Sequence, residues 1–323
     1  MNAYIHEFAR TRAPSSLTER HSRLRRYLSW AGEQTPASAW SRPHLQRYHL
    51  HVTTTPKYSL NAKDNPPPSP RTCNRLVNAV HLLWEWADEY AEDLNWEIAR
   101  PRRITLPTVP EAEVVAASWS QTAAVLRYAR DHQRRDAYRT AVLLRCTGLR
   151  VGAAFWLRWD DLDLTHERMH VRAVTTKGGY GGREVPLAPV LAAELAGWGR
   201  REGYVLSGDK CNAVRAQLGV VAPDKSRRYL AWLRTAWKGS KMSVSLWKQR
   251  PAHAFRISLT SCLAAEGVDR EIGELLVGHE VAGSRRRYLD KAARWTQMVK
   301  AVSLIPDWHS EDAAVPGYRE VAR

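Results

Sequence analysis

The sequence predicts a mainly α-helical protein of two domains, with one small antiparallel β-sheet in the second domain. Apolar residues recur at helical spacing along most of the chain, whereas two short strand-like segments flank a single glycine-rich turn. Residues 100–110 contain three prolines and three arginines and have the composition of a linker. A chain of 323 residues is long enough for two cores. We therefore expect domains at residues 1–107 and 108–323.

Two apolar patterns indicate helices in the first domain. The first pattern includes Leu24, Tyr27 and Leu28 at helical spacing. The second forms one apolar stripe from about Arg71 to Trp96. A turn-rich stretch with three consecutive prolines, residues 53–70, separates the two patterns.

Helices open and close the second domain, and the sheet lies between them. Ser120 can cap a first helix, and residues 138–146 continue the helical pattern. Residues 169–174 and 183–187 are expected to form short strands on either side of a hairpin turn at 175–182. Further helices are expected at residues 188–200 and from residue 253 almost to the end of the chain.

The charge of the chain favours a polyanionic partner. Lys and Arg number 49 against 33 Asp and Glu, which gives a net charge of +16 and a pI of about 10.0. A hydrophobic fraction of 44% excludes a disordered polybasic tail, since such tails lack the apolar surface that folding requires. An acidic membrane surface would need an anchor as well as charge, and no anchor is visible. Nucleic acid is the simplest partner.

The sequence contains neither a visible targeting signal nor a metal motif. The first 16 residues lack the apolar core of a secretory signal, and no stretch approaches the roughly 18 apolar residues of a membrane span. The cysteines have no spacing typical of a zinc site. We expect a cytoplasmic protein without metal or other cofactor, in which the thiols are reduced and mostly buried. These thiols belong to Cys73, Cys146, Cys211 and Cys262.

Four short motifs, widely separated in sequence, carry candidate chemistry. Thr147-Gly-Leu-Arg150 places an arginine directly after a glycine turn, and we interpret it as a buried guanidinium that requires an anion. His253-Ala-Phe-Arg256 puts a histidine and an arginine on one helical face. Gly278-His279 follows 26 residues after His253, and Tyr288 lies nine residues after His279. A P-loop is excluded, because no Gly-Lys-Ser/Thr ends the glycine-rich turn.

Together these motifs resemble the catalytic domain of the tyrosine recombinases, which include the phage-type integrases and Xer-like enzymes. Thr147-Gly-Leu-Arg150 resembles the first arginine box of that family, and His253-x-x-Arg256 resembles its HxxR box. The resemblance covers about residues 112–290. Residues 210–250 match no part of the family pattern and are a candidate for an extra DNA-contacting element. Their tryptophans are expected to pack in a core rather than stack on bases, namely Trp232, Trp237 and Trp247.

The resemblance implies a covalent mechanism. Tyr288 would attack a DNA phosphodiester, form a phosphotyrosyl bond and expel a 5′-hydroxyl, so that the strand can be rejoined without ATP. Arg150 and Arg256 would hold the non-bridging oxygens, where negative charge builds in the transition state. Two arginines on the phosphate make a metal ion unnecessary.

The remaining implied roles concern hydrogen bonds and protons. His279 would hydrogen-bond to the same phosphate, and His253 would help to move the proton of the nucleophile. Family members carry a lysine on a β-hairpin that protonates the leaving 5′-oxygen, and Lys177 at the start of the predicted turn matches it. The resemblance therefore implies six catalytic residues: Arg150, Lys177, His253, Arg256, His279 and Tyr288.

One departure from the family pattern keeps rival functions open. The family commonly has an acid three residues after the first arginine, where this chain has Ala153. Its absence either weakens activity or is compensated by a neighbouring residue. A non-catalytic DNA-binding regulator on the same fold is therefore one rival. A type IB topoisomerase is the other, although those enzymes usually carry a lysine at the position of His253.

The resemblance also implies an assembly on double-stranded DNA. A helical core-binding domain and a catalytic domain would form a two-domain clamp around each half of an inverted-repeat site. Two molecules would bind one site, and two such dimers would form a tetramer that exchanges strands through a Holliday junction. The segment from Ala293 to Arg323 would pack onto a neighbouring protomer. The sequence leaves open whether the reaction is integration, excision, dimer resolution or inversion.

Overall fold

The chain divides into two compact units, Met1–Ala112 and Glu113–Arg323, each with its own hydrophobic core. The predicted fold class is confirmed, because the chain is mostly helical with one small antiparallel sheet. The computed structural model describes residues 1–11, 14–55, 68–93, 95–110, 115–132, 135–175, 182–199, 201–208, 211–212, 215, 227–247, 250–279 and 291–309.

In its described residues the first unit has four helices. They are α1 (Asn2–Thr11), α2 (Pro14–Ala31), α3 (Arg42–Thr54) and α4 (Pro70–Glu89). Ser41 and Ser69 cap α3 and α4, and each is followed by a proline in the first turn of its helix. The predicted apolar faces are buried, with Tyr27 and Trp84 inside the core. Helix α4 ends well before Trp96, which is exposed.

The predicted linker is irregular in structure, but it is anchored to the first unit. Arg103 donates from Nε to Nε2 of His81 at 3.2 Å, and Ile104 and Leu106 pack against the core of this unit. The carbonyl of Pro107 accepts a hydrogen bond at 2.9 Å from the side-chain amide of Asn74, on α4. The prolines prevent a helix here, yet the apolar side chains between them still find a core.

The described part of the second unit has nine helices around a three-stranded sheet. The helices are α5 (Trp119–His132), α6 (Arg135–Thr147), α7 (Val151–Trp156), α8 (Pro189–Ala196), α9 (Arg227–Gly239), α10 (Val244–Trp247), α11 (Pro251–Ala265), α12 (Arg270–Val277) and α13 (Lys291–Ser303). Ser118, not the predicted Ser120, caps α5. Its hydroxyl accepts from the Gln121 N–H at 3.2 Å, while the Gln121 side chain accepts from the Ser118 N–H at 2.9 Å.

The sheet has the antiparallel order β1–β2–β3. Its strands are β1 (Leu162–Asp163), β2 (Arg168–Val171) and β3 (Arg183–Pro186). Both predicted strands are shorter in the structure, since β2 gives way to a 3₁₀ turn at Ala173–Thr175 and β3 ends at Pro186. The alternation that predicted them is real: Met169 and Val185 pair across the ladder and both are buried. The two residues of β1 are too few to give a period-2 signal.

The tryptophans of residues 210–250 pack in the core, as predicted. Trp237 is fully buried, and its indole N–H donates to the Pro251 carbonyl at 3.1 Å. Trp232 and Trp247 are partly buried against the same core. Helices α9 and α10 therefore belong to the packed body of the second unit.

The described part of the segment that is expected to pack onto a neighbouring protomer packs against its own unit in this chain. Residues 291–309 pack against their own unit, and Ile305 and Trp308 are buried in its core. The Trp308 indole N–H donates to the Tyr138 hydroxyl at 3.1 Å, and Arg145 donates to the Pro306 carbonyl. These polar contacts satisfy buried groups of the same chain, which favours packing within the unit. Residues 310–323 lie outside the described part.

The four cysteines are buried free thiols, which agrees with the prediction. Within the described ranges, no helix is long and apolar enough to cross a membrane. The same residues contain no group of three His, Cys, Asp or Glu side chains that could hold a metal ion.

Candidate active site

The loop from α6 to α7 carries the first motif. Gly148 has φ +57, and a Cβ at this position would lie 2.7 Å from Val277 Cγ1, so both the backbone and the packing require glycine. Arg150 follows as the N-cap residue of α7. The interpretation of Arg150 as buried is wrong: it is exposed, whereas the preceding Leu149 is the residue that packs in the core.

Arg256 is the buried arginine of the site, with only 3% of its surface exposed. Its Nη1 donates to the Gly148 carbonyl at 2.8 Å and so ties α11 to the loop that carries Arg150. Its Nε and Nη2 are buried and have no hydrogen-bond partner among the described residues. Burial, followed by the charges of Arg150 and Arg183, lowers the pKa of Arg256 to about 10. A buried cation with free donors is suited to binding an anion.

His253 lies one turn before Arg256 on α11 and is half-buried. Burial lowers its pKa below the ordinary histidine value, and the nearby positive charges of Arg256, Arg250, His279 and Arg150 lower it further. His253 is therefore neutral at pH 7 in the free protein and can accept a proton.

His279 directly follows α12, whose last turn closes on Gly278 in the left-handed conformation, with φ +72. The His279 N–H donates to the Glu274 carbonyl at 2.9 Å, which is the bond expected of a Schellman cap. The Nδ1 atom of the His279 ring also hydrogen-bonds to the Glu274 carboxylate. Glu274 thus fixes both the backbone and the ring, and Nε2 is left as the nitrogen that can reach a substrate.

Glu274 is a residue that the sequence reasoning missed. Position 153, where the family commonly has an acid, is a buried alanine on α7. Glu274 supplies a carboxylate from α12 instead, since it bonds to His279 and its charge favours the protonated form of Arg256. The sequence shows only that an acid lies five residues before His279. Spacing alone does not reveal that the left-handed turn at Gly278 brings this acid next to the histidine ring.

Two predicted site residues lie outside the described part of the chain. Lys177 falls within residues 176–181, between the end of the 3₁₀ turn and β3. Tyr288 falls within residues 280–290, between α12 and α13. Their roles remain predictions. The other four come together: His253 and Arg256 share α11, Arg256 bonds to the loop that carries Arg150, and that loop packs against Val277, two residues before His279.

A family model named the phage integrase family matches residues 120–294, which is more than half of the chain. The chain belongs to the phage integrase family. The tyrosine recombinase family inferred from the separated motifs is thereby confirmed. No curated protein matches this integrase-family chain significantly by sequence.

Several solved structures share the fold of this integrase-family chain. The Tn1549 transposon integrase in complex with circular intermediate DNA is similar with a TM-score of 0.59 and 17% identity, covering 91% of this chain and 97% of that one. A lambda integrase dimer bound to a COC′ core site is similar with a TM-score of 0.58 and 12% identity, and the match covers 90% of this chain and 96% of that one. A lambda integrase tetramer bound to a Holliday junction is similar with a TM-score of 0.59 and 13% identity, and the match covers 91% of this chain and 76% of that one.

Proposed function

We propose that this chain is a site-specific DNA recombinase that cuts and rejoins DNA through a 3′-phosphotyrosyl intermediate, without metal or ATP. The observation that carries the proposal is Arg256. Its bond to Gly148 joins the two arginine motifs, and two of its buried donor groups have no partner in the described residues. A DNA phosphodiester is the anion that best suits such donors in a chain of net charge +16.

In the proposed cleavage step, the Tyr288 oxygen forms a bond to phosphorus while the bond from phosphorus to the 5′-oxygen breaks. Arg150 and Arg256 stabilise the charge on the non-bridging oxygens. The phenol loses its proton with the help of His253, whose lowered pKa leaves it neutral and able to accept. Lys177 gives a proton to the leaving 5′-oxygen. The number of phosphoester bonds is unchanged, so the reverse step rejoins a strand without added energy.

We further propose that Glu274 compensates for the missing acid at Ala153. Glu274 would hold the His279 ring in one orientation through Nδ1 and so direct Nε2 toward the phosphate. This role argues for an active enzyme rather than a non-catalytic regulator.

The proposed assembly follows solved relatives. The first domain (1–107) would bind the core of a half-site and the second (108–323) would cut it. Two molecules would occupy an inverted repeat, and four would synapse and pass through a Holliday junction. The lambda integrase dimer on a core site and the tetramer on a Holliday junction support this order of events.

The deciding experiment uses a nicked suicide substrate that carries the recombination site, located first as a short inverted repeat in the DNA that flanks the gene. We expect a covalent protein–DNA adduct that Tyr288→Phe abolishes. The matched control, Tyr128→Phe, removes a hydroxyl from helix α5 and should leave adduct formation unchanged. Normal adduct in Tyr288→Phe would overturn the nucleophile assignment.

The rival functions give different results. Specific binding without any adduct in the wild-type chain would identify a non-catalytic regulator. Relaxation of a supercoiled plasmid that lacks the site would instead identify topoisomerase activity.

A further inference from the structure

Arg183 is a cation that neither the motifs nor the proposed mechanism uses. It opens β3, is half-buried, and its Nε is buried without a hydrogen-bond partner in the described part of the chain. No acidic side chain of the described residues forms an ion pair with it. Arg172, which directly follows β2, also has an Nε without a hydrogen-bond partner, but this atom lies 3.1 Å from an Asp161 carboxylate oxygen. Within the described residues, Arg172 therefore has an acidic partner and Arg183 has none.

The Arg183 guanidinium lies against the backbone of Gly278. A Cβ at position 278 would overlap three atoms of that group, so the close approach depends on glycine. Gly278 immediately precedes His279. Gly148 packs against the adjacent Val277, and its carbonyl accepts from Arg256. A short series of contacts thus brings Arg183 to the same place as Arg256 and His279.

The charges agree with this geometry. Burial, followed by the charge of Arg150, lowers the pKa of Arg183 to about 10. Arg150 and Arg183 in turn both lower the pKa of Arg256. The three guanidinium groups therefore repel one another in the free protein, and the repulsion is strongest where water is excluded. An oxyanion among them would convert this repulsion into attraction.

We propose that Arg183 is a third phosphate-binding arginine, which holds one tetrahedral oxyanion together with Arg150 and Arg256. The inference rests on the proposed function in one respect, namely that this oxyanion is the scissile phosphodiester. Gly278 is then required twice, once for the cap that orients His279 and once for the space that Arg183 occupies.

A phosphate-binding role and a structural role predict opposite effects on the free protein. If Arg183 were structural, its removal would destabilise the fold. If Arg183 binds phosphate, its removal relieves the repulsion among the guanidinium groups. The free protein then keeps or gains stability, while the affinity of the protein for an oxyanion falls.

The test uses inorganic sulfate as the probe and the full chain. Tm is measured against sulfate concentration at constant ionic strength set with chloride, and the dissociation constant follows from the dependence of Tm on sulfate. We expect Arg183→Ala to weaken sulfate binding by about tenfold or more, since charge-assisted hydrogen bonds are lost. Its Tm in chloride should not fall.

The matched control is Arg168→Ala. Arg168 is exposed on the neighbouring strand, over the Trp295 ring at 4.9 Å, and its removal takes the same charge from the same sheet. The control should bind sulfate as the wild type does. Wild-type sulfate affinity in Arg183→Ala, or an equal loss in the control, would overturn the proposal. Should the alanine variant fail to fold, Arg183→Gln decides by the same criterion.

Failure of this inference and failure of the proposed function are distinguishable. If Tyr288→Phe still forms adduct while sulfate binding depends on Arg183, the nucleophile is wrong but the three-arginine anion site remains. If adduct formation depends on Tyr288 while sulfate affinity is unchanged in Arg183→Ala, only the proposed role of Arg183 fails.

Discussion

Two arginines of the second unit have the same burial and opposite environments. Arg145 on α6 and Arg256 on α11 are 1% and 3% exposed. All three nitrogens of the Arg145 guanidinium donate within the protein, Nε to Thr122 at 3.2 Å and both terminal nitrogens to the Pro306 carbonyl at 3.3 Å. Its carbon lies 5.3 Å from the ring centres of Trp119 and of Trp308. Within the described residues, Arg256 makes one such bond and has two buried donor nitrogens without a partner.

Structural and ligand-binding arginines can therefore be distinguished by how many of their buried donors have partners within the protein. Arg215 resembles Arg145, since it donates to two carbonyls and lies 4.0 Å from the Tyr204 ring. Such arginines are complete without any partner molecule. Arg256 and Arg183 each have at least one buried donor without a partner in the described residues, and we propose that an anion is that partner.

The largest expected effect is the loss of cleavage on substitution of Arg256, the arginine whose buried donors lack partners. Arg256→Met keeps the apolar stem and removes the charge, and we expect suicide-substrate cleavage to fall by about 10³-fold, the scale for losing a transition-state donor. The free energy of unfolding should change by no more than about 1 kcal/mol, because a poorly paired buried charge is replaced by an apolar group. Cleavage rates and urea unfolding measure the two effects. A large loss of stability would place Arg256 in the structural class.

The matched substitution at Arg145 should reverse the pattern. Arg145→Met removes four hydrogen bonds and two cation–π contacts and leaves the Pro306 carbonyl unsatisfied. We expect a loss of about 3 kcal/mol of unfolding free energy in urea. Cleavage by the folded variant, at a temperature below its transition, should stay near the wild-type rate. A cleavage defect without loss of stability would contradict the structural role assigned to Arg145.

Glu274→Gln tests whether an acid near Arg256 serves the site. We expect cleavage to fall by about tenfold with little change in stability, as when an outer hydrogen-bond partner is removed. Adding Ala153→Asp should restore part of the lost rate by returning a carboxylate to the position that is usual in the family. If Glu274→Gln cleaves normally, the compensation proposal is wrong.

The smallest effect concerns the pH response of His253. Burial and then Arg256 lower its pKa, so its imidazole should titrate below 6.5 in NMR spectra of the free protein. Because the folded state binds this proton more weakly than the unfolded state, the free energy of unfolding should decrease as the pH falls below the pKa of His253 in the unfolded chain. Arg256→Met should move the titration upward by removing one neighbouring charge. An unchanged midpoint would mean that the two side chains are not coupled.

The sequence predicted the fold class and the motifs because both depend on local order. Helical periodicity predicted α4, alternation predicted the strands around the hairpin, and spacing alone grouped His253 with Arg256. The burial of Arg150 was predicted wrongly, since the motif does not reveal that Leu149 packs in the core while Arg150 is exposed. Glu274 was missed because a left-handed cap at Gly278 brings it back to His279, and Arg183 was missed because its contact with Gly278 joins residues far apart in the sequence. Arg145 and Arg256 look alike in sequence, and only their partners distinguish them.

One measurement tests most directly whether Arg256 stabilises the negative charge of the scissile phosphate. Wild type and Arg256→Met are compared on two suicide substrates, one with a normal scissile phosphate and one with a neutral methylphosphonate at that position. We predict a gap of about 10³-fold on the phosphate that shrinks to less than about tenfold on the methylphosphonate, because the neutral group no longer needs the guanidinium. An equal gap on both substrates would contradict a phosphate-binding role for Arg256.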